Sequence, residues 1–160
     1  MVSGCLLFFL LFTGCKEDAA NNTTVLKSTD LTELKYGSHA SQSMDVFLPE
    51  NRDGSTKTIV FVHGGFWISG DKAQLADLAK QFRDKGYSCA VINYRLSNTP
   101  EKNIHPAQIN DLANAIAFIR SKAAEWKISP DGLGLLVAVP AVTWPYYIPM
   151  HTIRIIQSER

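Results

Sequence analysis

The chain has 160 residues, with 16 Lys or Arg against 15 Asp or Glu and a formal net charge of +1. That balance excludes the basic surfeit of a nucleic-acid binder, and the length leaves room for one domain. A hydrophobic fraction of 46% marks a globular chain with a core to bury.

The first element is the apolar run Cys5 to Phe12, eight residues long. It has the length of a signal-peptide hydrophobic region and is too short to span a bilayer as a helix. Phe12-Thr13-Gly14-Cys15 resembles a bacterial lipobox, which implies that Cys15 is lipidated and becomes the first mature residue. Residues 1–14 then form a lipoprotein-type signal peptide. Residues 15–30, opening on the polar run Lys16 to Thr24, form a tether. The expected location is outside the cytoplasm, on a membrane, through a lipid anchor at Cys15.

Thr58-Ile59-Val60-Phe61-Val62 is β-branched or aromatic throughout and predicts a strand buried on both faces of a parallel sheet. It runs into His63-Gly64-Gly65-Phe66-Trp67, at the carboxyl end of the strand, where open α/β sheets place ligands. Glycines let the backbone approach a reacting group, and amides held in a rigid, water-poor loop stabilise the oxyanion of acyl transfer. The two glycines alone also fit an ordinary turn.

Asp71 to Lys85 carries Leu75, Leu78 and Phe82 at helical spacing, and Gly86 stands where a C-terminal glycine belongs. Ser88 to Tyr94 supplies the next strand. Pro106 opens a second helix at its first position, with Ile109, Leu112, Ala113, Ile116, Ile119, Ala123 and Trp126 marking one apolar face. Strands alternating with such helices predict an α/β fold, a mostly parallel sheet with crossover helices.

His63-Gly64-Gly65-Phe66-Trp67 followed by Gly70-Asp71 resembles the lipase, esterase and kynurenine-formamidase branch of the α/β-hydrolases. Asp45-Val46-Phe47-Leu48-Pro49 looks like the second strand of that family, and Ala90 to Leu96 like its fourth strand and the loop beyond. His105 to Asp111 is similar to its next helix start, and Ile128-Ser129-Pro130-Asp131 to the turn before its fifth strand. The pieces stand in the family's order. They imply the N-terminal part of an α/β-hydrolase domain over residues 31–136, incomplete as it stands.

The family's nucleophile belongs on a Gly-x-Ser-x-Gly elbow after the fifth strand. No such pentapeptide occurs in the 160 residues. Gly86-Tyr87-Ser88-Cys89-Ala90 comes nearest, but its serine opens a strand instead of closing one. After Gly132 to Leu136 the chain turns into a proline-punctuated stretch with no period of 2 or 3.6, so residues 137–160 read as a non-homologous tail.

The genetic code offers an origin for that tail. Joining the third base of each codon to the first two of the next, from the Leu136 codon onward, gives the triplets NGT, NGC, NGT, NCC, NGC, NGT, NAC, NTG, GCC, NTA and YTA. These accommodate Gly-Ser-Ser-Ala-Gly-Gly-His-Leu-Ala-Leu-Leu, the elbow the family carries at this place. The alanine from Trp144 and Pro145 is forced, as is the last leucine from Tyr146 and Tyr147. The expectation is a lost base near Leu136, with the nucleophile's codon straddling Ala138 and Val139; a native variant tail is the alternative.

The resemblance implies that Gly64, Gly65 and Phe66 present oxyanion N–H groups, that Trp67 walls the acyl pocket and that His63 braces the loop. It assigns no catalytic residue to this chain, because nucleophile, acid and base are encoded beyond the break. Its partners would be a small-molecule or polysaccharide-linked ester and the membrane. Asp111 is read as the start of a helix, favoured there by the dipole and paired with Arg95 as a structural ion pair. Cys89, inside an apolar strand, is a packed thiol. His39, His63, His105 and His151 lack the spacing of a metal site, and no cofactor is expected.

Overall fold

The computed structural model describes residues 25–100 and 103–138. The elements run β1 (Thr29–Lys35), β2 (Ser43–Leu48), β3 (Thr58–Val62), a single 3-10 turn (Lys72–Leu75), α1 (Ala76–Arg83), β4 (Ser88–Ile92), α2 (Ala107–Trp126) and β5 (Leu133–Val137). The lipobox with Cys15, His151 and the tail from Val139 onward lie outside the described residues.

The five strands form one sheet in the order β1-β2-β4-β3-β5. Strands β4, β3 and β5 are parallel, whereas β1 with β2 and β2 with β4 are antiparallel, so the sheet is mixed. Strand β1 is an addition to the sequence reading, and it starts at Thr29, inside the stretch read as tether. Its residues are mostly exposed and alternate poorly, because it is an edge strand whose register slips between Leu31 and Leu34. Glu33 takes a left-handed φ of 56° at that slip.

Side chains alternate across the central strands, which splits the core in two. One layer joins Met44, Val46, Val60, Ala90 and Ile92 to Ala115, Ile119, Ala123 and Trp126 of α2. The other joins Phe47, Phe61, Cys89 and Val91 to Leu75 and Ala79. Each face therefore carries one helix, and neither is bare. Strand β5 is the least covered of the three parallel strands, with Leu133 to Leu136 half-buried and Val137 exposed.

Both helices differ in detail from their sequence reading. In α1, Ala79 is fully buried and Leu78 is 37% exposed, because the preceding 3-10 turn advances the helix face. Gly86 closes the segment at φ +91°. Pro106 stands just before the first residue of α2 instead of within it, after a cis His105-Pro106 bond. The buried stripe of α2 runs through Gln108, Asp111, Ala115, Ile119, Ala123 and Trp126, while Ile109 and Ala113 are exposed. Two polar residues thus turn the first helical turns inward, which an apolar period cannot show.

Candidate active-site loop

Strand β3 lies between β4 and β5, the point where the chain's path across the sheet reverses. Open α/β sheets form their ligand crevice at this point, outside the carboxyl ends of the strands. The segment leaving β3 here is residues 63–71, the glycine-bearing loop.

That loop is held in an unusual conformation. Gly65 and Gly70 have φ of +116° and +118°, and Phe66 and Trp67 follow at +52° and +64°. Two consecutive non-glycine residues in the left-handed region cost about 1–2 kcal/mol each. A Cβ on Gly65 would lie 2.0 Å from the Ser69 carbonyl oxygen, and one on Gly70 2.2 Å from His63 Nδ1. Inside the loop, the Gly65 carbonyl accepts from the amides of Ile68 (3.0 Å) and Ser69 (3.2 Å). Among the described residues, the amides of Gly64, Gly65 and Phe66 have no acceptor.

His63 is 2% exposed and its ring stacks on Tyr94 with centroids 4.3 Å apart. His63 Nδ1 lies 2.8 Å from the Gly64 carbonyl oxygen, which can only accept, so the proton sits on Nδ1. The Tyr94 hydroxyl donates to the His63 carbonyl at 2.9 Å. His63 therefore fixes the start of the loop through ring, carbonyl and neighbouring peptide.

The far end of the loop is tied to a polar cluster that sequence reasoning missed. Asp71 caps the 3-10 turn by accepting from the Ala73 amide at 2.8 Å, and Asn93 Nδ2 donates to its other oxygen at 2.9 Å. These contacts hold the Asp71 carboxyl below the usual carboxylate range, the Ala73 amide contributing most. Lys72 is buried, its Nζ 2.5 Å from Glu33 and 2.8 Å from Asp45. Burial depresses its ammonium, but the two carboxylates outweigh that and hold it above the ordinary lysine value. The sequence signal was a charged residue, Asp45, between the apolar Met44 and Val46 of β2.

Phe66, Trp67 and Ile68 are 76%, 45% and 49% exposed, so three apolar side chains stand in solvent beside the unpartnered amides. The Trp67 ring faces His105 with centroids 6.4 Å apart. Its carbonyl accepts from the Ser97 amide at 2.8 Å and the Ser97 hydroxyl at 3.1 Å.

Behind the loop, Arg95 and Asp111 meet. Arg95 Nη2 and Nε lie 2.7 Å and 3.1 Å from Asp111 Oδ1, the Arg95 amide donates to Oδ2 at 2.9 Å, and Gln42 Nε2 donates to Oδ1 at 2.7 Å. Asp111 is the fifth residue of α2, in its second turn, so the helix-start reading is corrected. Its stabilisation comes from these donors and not from the helix dipole, which acts over the first turn. Burial pushes the carboxyl up, yet the donors outweigh it and leave the group below its ordinary value. Cys89 is buried and carries no role in this loop, its thiol pushed up to about 12 by burial.

A parallel β-α-β core with a strained glycine loop at its switch point is the arrangement of an α/β-hydrolase. Residues 44–137, more than half of the chain, match the BD-FAE family model, and the chain belongs to that family. It is 31% identical to the isoprenylcysteine alpha-carbonyl methylesterase of Arabidopsis thaliana over 103 residues, 64% of this chain and 23% of the relative. It is 35% identical to the kynurenine formamidase of Drosophila melanogaster over 63 residues, 39% of this chain and 21% of that enzyme. Among solved structures, a truncated carbohydrate esterase from gut microbiota superposes with a TM-score of 0.59 at 30% identity, covering 69% of this chain and 39% of that one. The chain thus spans a quarter or less of the length of these curated relatives.

Proposed function

We propose that this chain is the N-terminal part of a serine carboxylic-ester hydrolase and that, as written, it does not turn over esters. The observation that carries the reading is the strained loop at the end of β3, in which the amides of Gly64, Gly65 and Phe66 have no acceptor among the described residues. Such amides are suited to a developing oxyanion. In a hydrolase of this fold they act on an acyl carbonyl attacked by a serine on the elbow after β5, whose following amide completes the oxyanion hole. Trp67, half-exposed beside these amides, walls the side on which the acyl group lies.

The sequence after β5 contains no Gly-x-Ser-x-Gly elbow, and on this reading the serine, the histidine that takes its proton and the acid that orients that histidine are encoded in the shifted frame. Half an oxyanion hole without a nucleophile forms no acyl-enzyme. The names of the relatives suggest substrates from methyl esters to formamides and carbohydrate esters, and the acyl pocket that would select among them is built mostly from residues after β5. Export and membrane attachment through Cys15 belong to the same proposal and place the substrate outside the cytoplasm.

A second reading, a non-catalytic binding module, draws on the exposed Phe66, Trp67 and Ile68. Incubation of the purified chain with a fluorophosphonate and with short acyl esters separates the outcomes. The proposal expects no labelled serine and no turnover above an unrelated protein; a labelled serine overturns the inactivity. The same assay on protein expressed with one base restored at the Leu136 codon is expected to give a labelled serine on the new elbow.

A further inference from the structure

Strand β4 ends at Ile92, and the two residues after it hold the opposite ends of the 63–71 loop. Tyr94 secures the start, through its hydroxyl on the His63 carbonyl and its ring against the imidazole. Asn93 meets the far end. Its Oδ1 accepts from the Lys72 amide at 2.6 Å and its Nδ2 donates to Asp71 Oδ2 at 2.9 Å. The backbone of Asn93 is itself fixed, its amide donating to the Ser43 carbonyl at 2.8 Å and its carbonyl accepting from the buried Tyr36 hydroxyl.

We infer that Asn93 is a positioning residue for the glycine loop, a clamp that holds the segment from Gly65 to Gly70, with its left-handed residues Gly65, Phe66, Trp67 and Gly70, in place without touching it. The inference rests on reading that loop as an oxyanion loop. The clamp needs one acceptor and one donor side by side in a planar group, which asparagine supplies and aspartate does not. An amide N–H requires the oxygen on one side, and a carboxylate requires the NH₂ on the other. A loop with four positive φ angles persists only where its surroundings over-determine it. Asn93 and Tyr94 supply that constraint from one rigid strand end, so the amides are presented without reorganisation.

The test uses the full chain and reads amide exchange by NMR at Ile68, Ser69 and Ser97, whose N–H groups bond within or onto the loop, against Ala90 in β4. Asn93→Asp keeps the acceptor for the Lys72 amide but sets a carboxylate against Asp71. It is expected to speed exchange at the three loop reporters about tenfold while Ala90 stays within about twofold, the signature of local opening. The double swap Asn93→Asp with Asp71→Asn reverses donor and acceptor, keeps the cap on Ala73, and is expected to restore the loop rates to within about threefold. Asp71→Asn alone, a change at an exposed residue that leaves the fold intact, is expected to speed the loop about threefold.

Unchanged loop exchange in either single variant overturns the inference. So does parallel acceleration of Ala90, which would mean general destabilisation, or a double swap no better than Asn93→Asp. Because exchange needs no ester chemistry, a clamp that passes this test in a repaired protein without esterase activity would refute the functional reading and leave the clamp standing.

Discussion

Asp111 is fully buried on α2 and takes its charge partner from Arg95, three residues past the end of β4, so one ion pair joins the strand end beside the glycine loop to the helix behind it. The guanidinium is about a quarter exposed, at 26%, while the carboxylate is shielded completely. That asymmetry decides which partner suffers when the pair is broken.

Arg95→Ala leaves Asp111 buried with, among the described residues, only Gln42 and the amide at position 95 as donors. The expected loss is about 3 kcal/mol of unfolding free energy, far above the level of under about 1 kcal/mol seen for surface pairs. Asp111→Ala should cost a similar amount through the stranded Gln42 and Arg95. In a urea double-mutant cycle the two losses should be less than additive by at least about 1 kcal/mol. Strict additivity would mean the pair is uncoupled.

The pair also sets an acid limit. The carboxyls of Asp111 and Asp71 are both lowered in the folded state. A depressed folded value contributes stability that is complete above the unfolded value, about 3.9, and lost as pH falls through the folded one. Urea midpoints are therefore expected to hold from pH 7 to about 5 and fall steeply below about 4. Asp111→Asn should lower the midpoint at pH 7 and flatten the acid slope. An unchanged slope in that variant would remove Asp111 from the account.

Gly70 admits no side chain, since a Cβ would meet His63 Nδ1 and the Gly64 carbonyl oxygen at 2.2 and 2.6 Å, at a φ of +118°. Gly70→Ala is expected to cost about 2 kcal/mol or more and to disturb the His63 ring resonances. Gly54, where a Cβ would meet nothing within 4 Å, is the control, and Gly54→Ala should stay within about 0.5 kcal/mol. Equal costs at both positions would deny the close packing of the loop on His63.

Cys89 is sealed between strands, with its thiol held up to about 12, so almost none is ionised at neutral pH. Iodoacetamide at pH 8 is expected to leave Cys89 unmodified in the folded chain and to alkylate it fully in denaturant, read by peptide mass spectrometry. Rapid native labelling would show that β4 opens readily.

Restoring one base at the Leu136 codon is expected to open a frame that reads Ser-Ala-Gly-Gly and then, further on, an Asp or Glu followed by a His, the order of nucleophile, acid and base in α/β-hydrolases. Sequencing the gene beyond Leu136 decides it. A shifted frame that stops at once, or lacks that order, makes the tail native.

Local composition was enough for β3, whose Thr58–Val62 run is β-branched or aromatic because both faces are covered, and for the glycines of the loop, where positive φ and close approach at Gly65 and Gly70 demand them. It was enough too for the crossover helices as elements, since their periods are driven by burial. The later turns of α2 face inward through Ile119, Ala123 and Trp126 as their apolar period predicts, whereas the facing of its first turns was decided only by tertiary structure, because Gln108 and Asp111 are buried through partners at Arg95, Asn103 and Gln42, outside the helix itself. Strand β1 was hidden for a related reason: an exposed edge with a bulge has no clean period, and its place depends on pairing with β2. The Lys72 cluster likewise exists only when Glu33, Asp45 and Lys72 are brought from three segments, and no spacing in the sequence announces a salt bridge closed by a fold. Periodicity records what each segment buries. Which polar groups are buried with it depends on partners that only the folded chain brings within reach.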